Sequence, residues 1–360
     1  MTAPVPSWDA ADFRARVQAT LDAFLDEQAS RLAPLGDDAA RLLAEARRSV
    51  AGGKRLRAAF CYWGFHAVDP RPDAASEQAL LRACASLELL HASALVHDDY
   101  MDASDTRRGR PATHRAFAAE HAADGWTGNA DQYGAAAAIL LGDLLLSWAD
   151  ELLRRCGLPL DRVMAALDVF DLTRSEVIAG QFLDVSAQAR GAADVDAAMT
   201  VLRYKSAKYS IERPLHVGAA LAGASPTALA ELTSFGLPIG EAFQLRDDLL
   251  GVFGDPAATG KPAGDDLVEG KRTVLVALAL DAAPAEEARD LHVSLGTALD
   301  ADGVARLRRI IDSCGAHAQV EDAISALSTL ALDALDRAAI DDVAREQLRS
   351  LAGAATHRTI

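Results

Sequence analysis

A run of apolar residues with helical spacing leads directly into an acidic cluster, and this combination constrains the fold more than any other feature. Between residues 80 and 96 apolar side chains recur every three or four positions, which predicts a buried helix. It leads into His97-Asp98-Asp99-Tyr100-Met101-Asp102. Asp98 and Asp102 are separated by one helical turn, so their carboxylates share one face. Because like charges one turn apart destabilise a helix, we expect a cation between them.

A second acidic cluster lies far along the chain and weakens the simpler alternative, a solvated acidic helix end. Gln244, Asp247 and Asp248 stand at i, i+3 and i+4, again on one helical face. The surrounding residues 226–253 have helical spacing, with a predicted kink at Pro238. Two carboxylate clusters on separate helices can jointly hold several Mg²⁺ ions, which prefer oxygen ligands and often bind phosphates as well.

Basic residues occur in short clusters within a chain of formal charge −16. Such a charge argues against a nucleic-acid-binding surface, so we expect these residues to act locally. The clusters are Lys54/Arg57, Arg107/Arg108, Lys205/Lys208, Lys261 and Lys271. Each alone could be a solvated turn or a neutralised carboxylate. Together with the aspartates they supply what two diphosphate ligands require, metal for one and Lys or Arg for the other.

Alanine and leucine dominate the chain, which favours helix almost throughout. Without a repeat or a break in composition, we predict a single all-α domain over residues 1–360. The four cysteines form no CxxC pair, which favours a reduced, cytoplasmic protein. Residues 1–6 lack the features of a signal peptide, and the apolar stretch 135–146 is too short to span a membrane. We therefore expect no membrane span.

Four motifs occur in the order typical of one enzyme family. Gly-Gly-Lys-x-x-Arg begins at Gly52, Asp-Asp-x-x-Asp at Asp98 precedes Arg-Arg-Gly, and Gln-x-x-Asp-Asp begins at Gln244. Over roughly residues 50–275 the chain resembles the trans-isoprenyl diphosphate synthases, the polyprenyl synthetase family, and in particular bacterial geranylgeranyl diphosphate synthases. The resemblance implies the all-α isoprenoid synthase fold, with antiparallel helices around a central active-site cavity, usually in a homodimer.

The activity implied by the resemblance is condensation of isopentenyl diphosphate with an allylic diphosphate of five, ten or fifteen carbons. It also implies three Mg²⁺ ions in each site, with Mn²⁺ as a substitute. The implied metal ligands are Asp98, Asp102, Asp184, Asp247 and Asp248. The implied contacts to isopentenyl diphosphate are Lys54, Arg57, His91 and Arg108. The implied residues around the allylic diphosphate are Arg107, Gln181, Lys205, Ser206, Gln244, Lys261 and Lys271, and of these Arg107, Lys205 and Gln244 are expected to assist catalysis.

Three further positions bear on how closely the chain matches the family pattern. His91 lies two helical turns before Asp98 on the same face, although a buried core histidine is the alternative. Gly251 stands where the second acidic motif of the family usually ends in Asp, and Asp255 either compensates or caps the loop. Ser206 replaces the usual Thr and keeps its hydroxyl.

Product length depends on the residues one turn before Asp98. Ser93 and Ala94 occupy positions at which farnesyl-forming members often carry aromatic side chains. Small residues there leave roughly another turn, about 5 Å, comparable with one isoprene unit. We therefore expect geranylgeranyl diphosphate as the product, with Leu90 and Leu87 as a floor further up the helix. A farnesyl or a longer-chain product is the alternative.

Two alternative functions are associated with related sequence motifs. A class I terpene cyclase also carries Asp-Asp-x-x-Asp, but it needs no isopentenyl site such as Lys54 and Arg57, and its cavity is richer in aromatic residues than a chain with 5% aromatics suggests. A non-catalytic subunit of a heteromeric synthase usually lacks aspartates of the first motif, and here all three are present.

Overall fold

The computed structural model describes residues 8–191, 194–254 and 264–357, which are almost entirely helical. The helices of the first half are α1 (Ala10–Leu32), α2 (Asp37–Val50), α3 (Leu56–His66), α4 (Ala74–Met101), α5 (Thr113–Ala123), α6 (Ala130–Arg154) and α7 (Leu160–Arg190), with a 3₁₀ turn at Ala33–Leu35. Strands β1 (Thr106–Arg107) and β2 (Arg110–Pro111) form an antiparallel pair in which Arg107 faces Arg110. The predicted all-α class is confirmed.

The second half of the chain is also helical, with shorter helices before and after one long helix, α10 (Pro226–Phe253). They are α8 (Val195–Val201), a π-helix (Leu202–Glu212), α9 (Arg213–Ala222), α10 (Pro226–Phe253), α11 (Asp265–Glu269), α12 (Val274–Ala282), α13 (Ala285–Ser294), α14 (Ala301–Ser313), α15 (Ala316–Arg337) and α16 (Asp342–Thr356). The π-helix leads directly into α9, and Pro214 lies in the first turn of α9, where proline is tolerated. α10 is assigned as one helix through Pro238.

The described residues group into two compact units. The first comprises residues 8–167, 217–223 and 341–347, and the second comprises the described parts of 168–216, 224–340 and 348–357. The expectation of a single domain stays a prediction.

In the first unit, α4 forms the centre of the core. Asp73 caps its start by accepting a hydrogen bond from the Ser76 backbone N at 2.7 Å. Apolar residues along its length are buried where it packs against α1, α3 and α6. A Cβ on Gly142 of α6 would lie 2.0 Å from Nε2 of His97, so glycine admits the end of α4. This contact fixes the position of the acidic motif that follows.

In the second unit, α10 holds the equivalent place. It packs against the π-helix, α11, α12 and α15. Leu245, Leu249 and Val252 are buried and belong to one hydrophobic core with residues of α12 and α14. The second acidic motif lies on this same helix, so burial of the apolar face determines where its carboxylates point.

Among the described residues, α4 is long and apolar enough to cross a membrane by length and composition. Within its most apolar window 78% is buried inside the protein, as in the core helix of a globular fold. The helix therefore gives little support to a membrane span.

Candidate active site

The predicted residues of the first unit come from the segment before α3, from the first turn of α3, from α4 and from the β1–β2 hairpin. We call them the first cluster: Lys54, Arg57, His91, Asp98, Asp102, Arg107 and Arg108. The structure places them in one unit.

A pair of glycines brings Arg108 against the segment that carries Lys54. Gly52 and Gly53 have φ values of +69° and +91°, in the left-handed region that favours glycine. A Cβ on Gly53 would lie 3.3 Å from Arg108 Nη2. Arg108 Nη1 donates a hydrogen bond to the Ala51 carbonyl oxygen at 3.0 Å. The glycines therefore allow the two basic segments to meet.

The hairpin directs two neighbouring arginines to different partners. Its turn residues Arg108 and Gly109 have φ values of 52° and 72°, and two positive φ angles are typical of the tight type I′ turn. Arg107 Nε donates to Asp99 Oδ1 at 2.8 Å, whereas Arg108 reaches the Ala51 carbonyl. Sequence analysis missed these strands because each contains two residues.

Arg55 and Glu88 form a buried ion pair that sequence analysis did not identify. Arg55 Nη1 lies 2.9 Å from Glu88 Oε2, and both side chains are almost fully buried. Glu88 Oε1 also accepts a hydrogen bond from the Ala58 backbone N at 3.3 Å. The pair ties the start of α3 to α4 one turn before His91. A lone carboxylate within the apolar run was the available signal, because a buried charge needs a partner.

Positive charge is concentrated around His91. The pKa of His91 lies well below its ordinary value, first because of burial and then because of the charges of Arg57, Arg108 and Arg107. Guanidinium groups repel one another when they crowd together, and an anion with several oxygens removes that cost. The first cluster is therefore suited to bind a phosphate or diphosphate group.

The three aspartates of the first motif have different surroundings. Asp99 is buried and is paired with Arg107. Asp98 and Asp102 remain partly exposed, and the Asp102 backbone N donates to the Asp98 carbonyl oxygen at 2.8 Å at the end of α4. Carboxylates at the carboxyl end of a helix oppose its dipole, and a cation relieves this. The outer two aspartates are therefore the better placed to bind metal.

The predicted chain-length residues also differ in exposure. Leu90 and Ser93 are buried, whereas Ala94 is partly exposed. All three lie on α4 within three turns of Asp98.

The remaining predicted residues lie in the second unit and form what we call the second cluster: Gln181, Asp184, Lys205, Ser206, Gln244, Asp247, Asp248 and Lys271. Lys261 and Asp255 lie outside the described residues.

The π-helix presents Lys205 and Ser206, and two glycines allow close packing against it. A Cβ on Gly180 of α7 would lie 2.4 Å from the Lys205 backbone N. A Cβ on Gly240 of α10 would lie 2.4 Å from the Ala207 carbonyl oxygen. Unusual π-helical turns occur frequently at functional sites, and here the turn packs directly against Gly180 of α7, the residue before Gln181.

Two lysines of the π-helix have separate carboxylate partners. Lys205 Nζ lies 2.5 Å from Asp184 Oδ2, which links two residues predicted for one site. Lys208 Nζ instead lies 3.2 Å from Glu176 and 3.4 Å from Glu212. Lys208, which the sequence grouped with Lys205, therefore belongs to a different ion-pair network.

A chain of hydrogen bonds connects the π-helix to the second acidic motif. Ser206 Oγ donates to Gln244 Oε1, and Gln244 Nε2 donates to Asp248 Oδ1 at 2.7 Å. The pKa of Asp248 lies well above its usual range because the carboxyl is buried and because Asp266 is close. Asp247 is partly exposed. The two adjacent aspartates therefore have different access to solvent.

Lys271 lies between two carboxylates of α11. Its Nζ is 2.6 Å from Glu269 Oε2 and 3.1 Å from Asp266 Oδ1. Asp266 and Glu269 were not identified from the sequence. Their positions follow from the short helix that precedes Lys271.

The donor atoms of both clusters fit magnesium. Among the described residues no group of three or more His, Cys, Asp or Glu side chains is arranged to hold a metal alone. Mg²⁺ is commonly bound by one or two carboxylates together with water and substrate phosphates rather than by a complete protein cage. The carboxylates of Asp98, Asp102, Asp184 and Asp247 are hard oxygen donors of this kind.

Comparison with known proteins identifies relatives. Residues 40–312 match the sequence model of the Polyprenyl synthetase family. A short chain isoprenyl diphosphate synthase of Methanothermobacter thermautotrophicus is 34% identical over 267 residues, 74% of this chain and 75% of that protein. A geranylfarnesyl diphosphate synthase of Aeropyrum pernix is 32% identical over 304 residues, 84% of this chain and 88% of that protein.

A solved structure is similar along nearly the whole chain. The crystal structure of geranylgeranyl pyrophosphate synthase from Corynebacterium glutamicum, complexed with isoprenyl diphosphate and magnesium, has a TM-score of 0.95 and 42% identity. The match covers 98% of this chain and 100% of that chain. The fold and its acidic motifs are those of a trans-prenyltransferase, a class of enzymes that uses divalent metal ions. The chain belongs to the polyprenyl synthetase family, as its motifs predicted.

Proposed function

We propose that this protein condenses isopentenyl diphosphate with allylic diphosphates of five, ten and fifteen carbons. The all-trans product is geranylgeranyl diphosphate, and diphosphate is released. The observation that carries this proposal is the cationic surrounding of His91 on the same helix as Asp98 and Asp102. Anion-binding groups and metal-binding carboxylates on one rigid helix suit a reaction between two diphosphates.

The first cluster binds isopentenyl diphosphate. Lys54, Arg57 and Arg108 contact its diphosphate oxygens, and His91 donates a further hydrogen bond from a neutral ring. The depressed pKa of His91 supports a neutral ring at physiological pH. Arg55 and Glu88 position this cluster from behind, because their buried ion pair connects α3 with α4.

The allylic diphosphate binds through metal and the second cluster. Asp98, Asp102, Asp184, Asp247 and Asp248 are the proposed metal residues. These carboxylates would hold three Mg²⁺ ions in each site, or Mn²⁺ in their place, and the metal would stabilise negative charge on the departing oxygen. Arg107, Lys205, Lys261 and Lys271 are the proposed cationic contacts to the same diphosphate. Gln181, Ser206 and Gln244 are the proposed polar groups beside the reacting carbon.

The reaction proceeds by ionisation, condensation and elimination. The bond between the allylic carbon and its diphosphate oxygen breaks first, and the electron pair leaves with diphosphate. The double bond of isopentenyl diphosphate then attacks the allylic cation and forms the new carbon–carbon bond. A proton leaves the resulting cation for the released diphosphate, so the chain needs no dedicated base.

The small side chain of Ala94 supports a product of twenty carbons. A farnesyl or a longer product is the alternative, and the relatives described above include both a geranylfarnesyl and a geranylgeranyl diphosphate synthase.

We also propose that residues 1–360 act as one domain in a cytoplasmic homodimer. Ile139 and Leu140 on α6 are 45% and 60% exposed, and neighbouring exposed apolar residues favour an interface. All four cysteines are free, as expected in a reducing compartment.

Incorporation of labelled isopentenyl diphosphate tests the reaction. Purified protein with Mg²⁺ is incubated with each of the three allylic primers, and products are separated by reversed-phase chromatography. We expect a twenty-carbon product from all primers. An Asp98→Asn/Asp102→Asn variant serves as the inactive control. Absence of incorporation with every primer would contradict the proposal.

A further inference from the structure

The side chain of Asp266 lies in the space next to Gly251, at the last position of the second acidic motif. Gly251 lies on α10, one turn after Asp247 and Asp248, where the related motif usually has its last aspartate. A Cβ built on Gly251 would lie 1.9 Å from Oδ2 and 2.4 Å from Cγ of Asp266. The carboxylate of Asp266 therefore fills the space in which a side chain at position 251 would begin.

The fold of α11 holds this carboxylate in place. Gly264 and Gly270 flank the short helix with φ values of +75° and +74°, and Leu267 anchors it in the core. The Lys271 backbone N donates to the Asp266 carbonyl oxygen at 3.0 Å. Lys271 Nζ lies 3.1 Å from Asp266 Oδ1, so one oxygen faces Lys271 while the other faces Gly251. Asp266 thus has a defined orientation.

The charge of Asp266 acts on the motif directly. Its Oδ2 lies where a side chain at position 251 would begin, one helical turn after the carboxylates of Asp247 and Asp248 on α10. Its side chain is 12% exposed, so little water lies between these carboxylates. Carboxylates held this close repel each other, and a divalent cation would remove that repulsion.

We propose that Asp266 supplies the carboxylate that the second acidic motif lacks at position 251, and that it helps to bind the metal at Asp247. The inference rests on the proposed function, because it assigns one more residue to that metal site. Position 251 is glycine because any side chain there would displace Asp266. The motif is therefore complete in space, with two carboxylates from α10 and the third from α11.

Relocation of the carboxylate tests this assignment. Three variants are compared with the wild type: Asp266→Ala, Gly251→Asp, and the double variant Gly251→Asp/Asp266→Ala. Asp265→Asn removes the same charge from the adjacent residue of α11 and serves as the matched control. Mn²⁺ binding in the presence of inorganic diphosphate is measured by electron paramagnetic resonance, and thermal unfolding is measured in parallel.

We expect Asp266→Ala to weaken Mn²⁺ binding by about tenfold or more, and Asp265→Asn to leave it within about twofold. Gly251→Asp alone should lower the unfolding temperature because its side chain collides with Asp266. The double variant should recover Mn²⁺ binding to within about threefold of the wild type, because the carboxylate returns to α10.

Two results would overturn the assignment. One is unchanged Mn²⁺ binding by Asp266→Ala, whatever happens to its unfolding temperature, since that indicates a structural role alone. The other is a double variant that binds no better than Asp266→Ala. Incorporation of isopentenyl diphosphate by the wild type distinguishes these results from failure of the proposed function. If the wild type is active and Asp266→Ala binds Mn²⁺ normally, only the assignment of Asp266 is contradicted.

Discussion

The hydroxyl of Ser93 donates a hydrogen bond to the backbone carbonyl oxygen of Gly142, 2.7 Å away on α6. This bond turns Ser93 into the interface between α4 and α6, where it is 3% exposed. Ala94 follows on the same helix, about 100° round, and is partly exposed. The sequence predicts that both residues line the product cavity, but their surroundings in the structure differ.

Ala94→Phe should shorten the product. A phenyl ring at this partly exposed position fills about one helical turn of space, comparable with one isoprene unit. We expect the main product to change from twenty to fifteen carbons, as measured by chromatography of the dephosphorylated products. An unchanged product length in an active Ala94→Phe variant would contradict the proposed role.

Ser93→Phe provides the contrast. A large ring in a packed interface typically costs about 1–3 kcal/mol of stability. We expect a lower unfolding temperature for Ser93→Phe, and a smaller change for Ala94→Phe. The pair separates overpacking of the core from blockage of the product.

Glu88→Gln should weaken binding of isopentenyl diphosphate. The substitution leaves the buried Arg55 without its carboxylate, and loss of one partner from a buried pair commonly costs about 3–5 kcal/mol. We expect a lower unfolding temperature and a KM for isopentenyl diphosphate that rises more than the KM for the allylic substrate. The basis is the connection that the pair makes between α3 and α4.

A matched control for Glu88→Gln lies on the same helix. Glu77 pairs with Arg16 at 2.8 Å and accepts from Tyr62 at 2.9 Å, and its pKa is lowered to about 2 despite burial, by the neighbouring His66 and by the bonds from Arg16 and Tyr62. Glu77→Gln should destabilise the protein without a selective change in KM. Equal effects of the two variants on both KM values would show that Glu88 acts only through stability.

The long helices were predictable because their apolar periodicity reflects burial. The apolar run at residues 80–96 lies within α4, and the predicted helix at 226–253 coincides with α10. Asp98, Asp102 and Asp247 could be proposed as metal ligands from the sequence because the motif spacing repeats helical geometry, and this assignment stays a prediction. Local signals were sufficient for these elements.

Other parts of the site depend on contacts between distant residues. Asp266 meets Gly251 only after the chain has passed through another segment and begun α11. The π-helix depends on close packing at Gly180 and Gly240, which no helical periodicity encodes. Spacing along the sequence cannot reveal such neighbours, although glycine in a helix is a signal for close approach.

Asp102→Asn and Asp99→Asn should affect metal dependence differently. Asp102 is a proposed metal ligand, so its substitution should raise the Mg²⁺ concentration for half-maximal rate by about tenfold or more. Asp99 is paired with Arg107, so Asp99→Asn should lower kcat while the Mg²⁺ requirement stays within about threefold. Initial rates over a Mg²⁺ titration measure both effects. The same Mg²⁺ shift in both variants would contradict this division.

Removal of the metal gives the corresponding baseline. Excess chelator should abolish incorporation by the wild type, and added Mg²⁺ should restore it. A wild-type rate that persists in chelator would exclude the proposed metal chemistry.

His216 should make the protein sensitive to acid. Burial lowers the pKa of His216 to about 4, with the positive charge of Arg213 acting in the same direction. Arg213 Nη1 lies 3.3 Å from His216 Nδ1, and since a guanidinium can only donate, Nδ1 is the acceptor. His216 Nε2, 3.0 Å from Thr233 Oγ1, is then the protonated nitrogen. The folded protein therefore stabilises the neutral ring.

The unfolded chain binds a proton at His216 near the ordinary pKa of about 6.5, whereas the folded chain does so only near pH 4. Stability from this residue is therefore complete above about pH 6.5 and falls as the pH decreases toward 4, by about 3 kcal/mol in total. His216→Gln carries no titrating ring, so its free energy of unfolding should decline less than that of the wild type over this range. Urea unfolding of both proteins at a series of pH values measures the difference, with pH 7.5 as the reference at which the ring is neutral in both states. Parallel decline of the two proteins from pH 6.5 to 4 would show that His216 does not contribute to acid sensitivity.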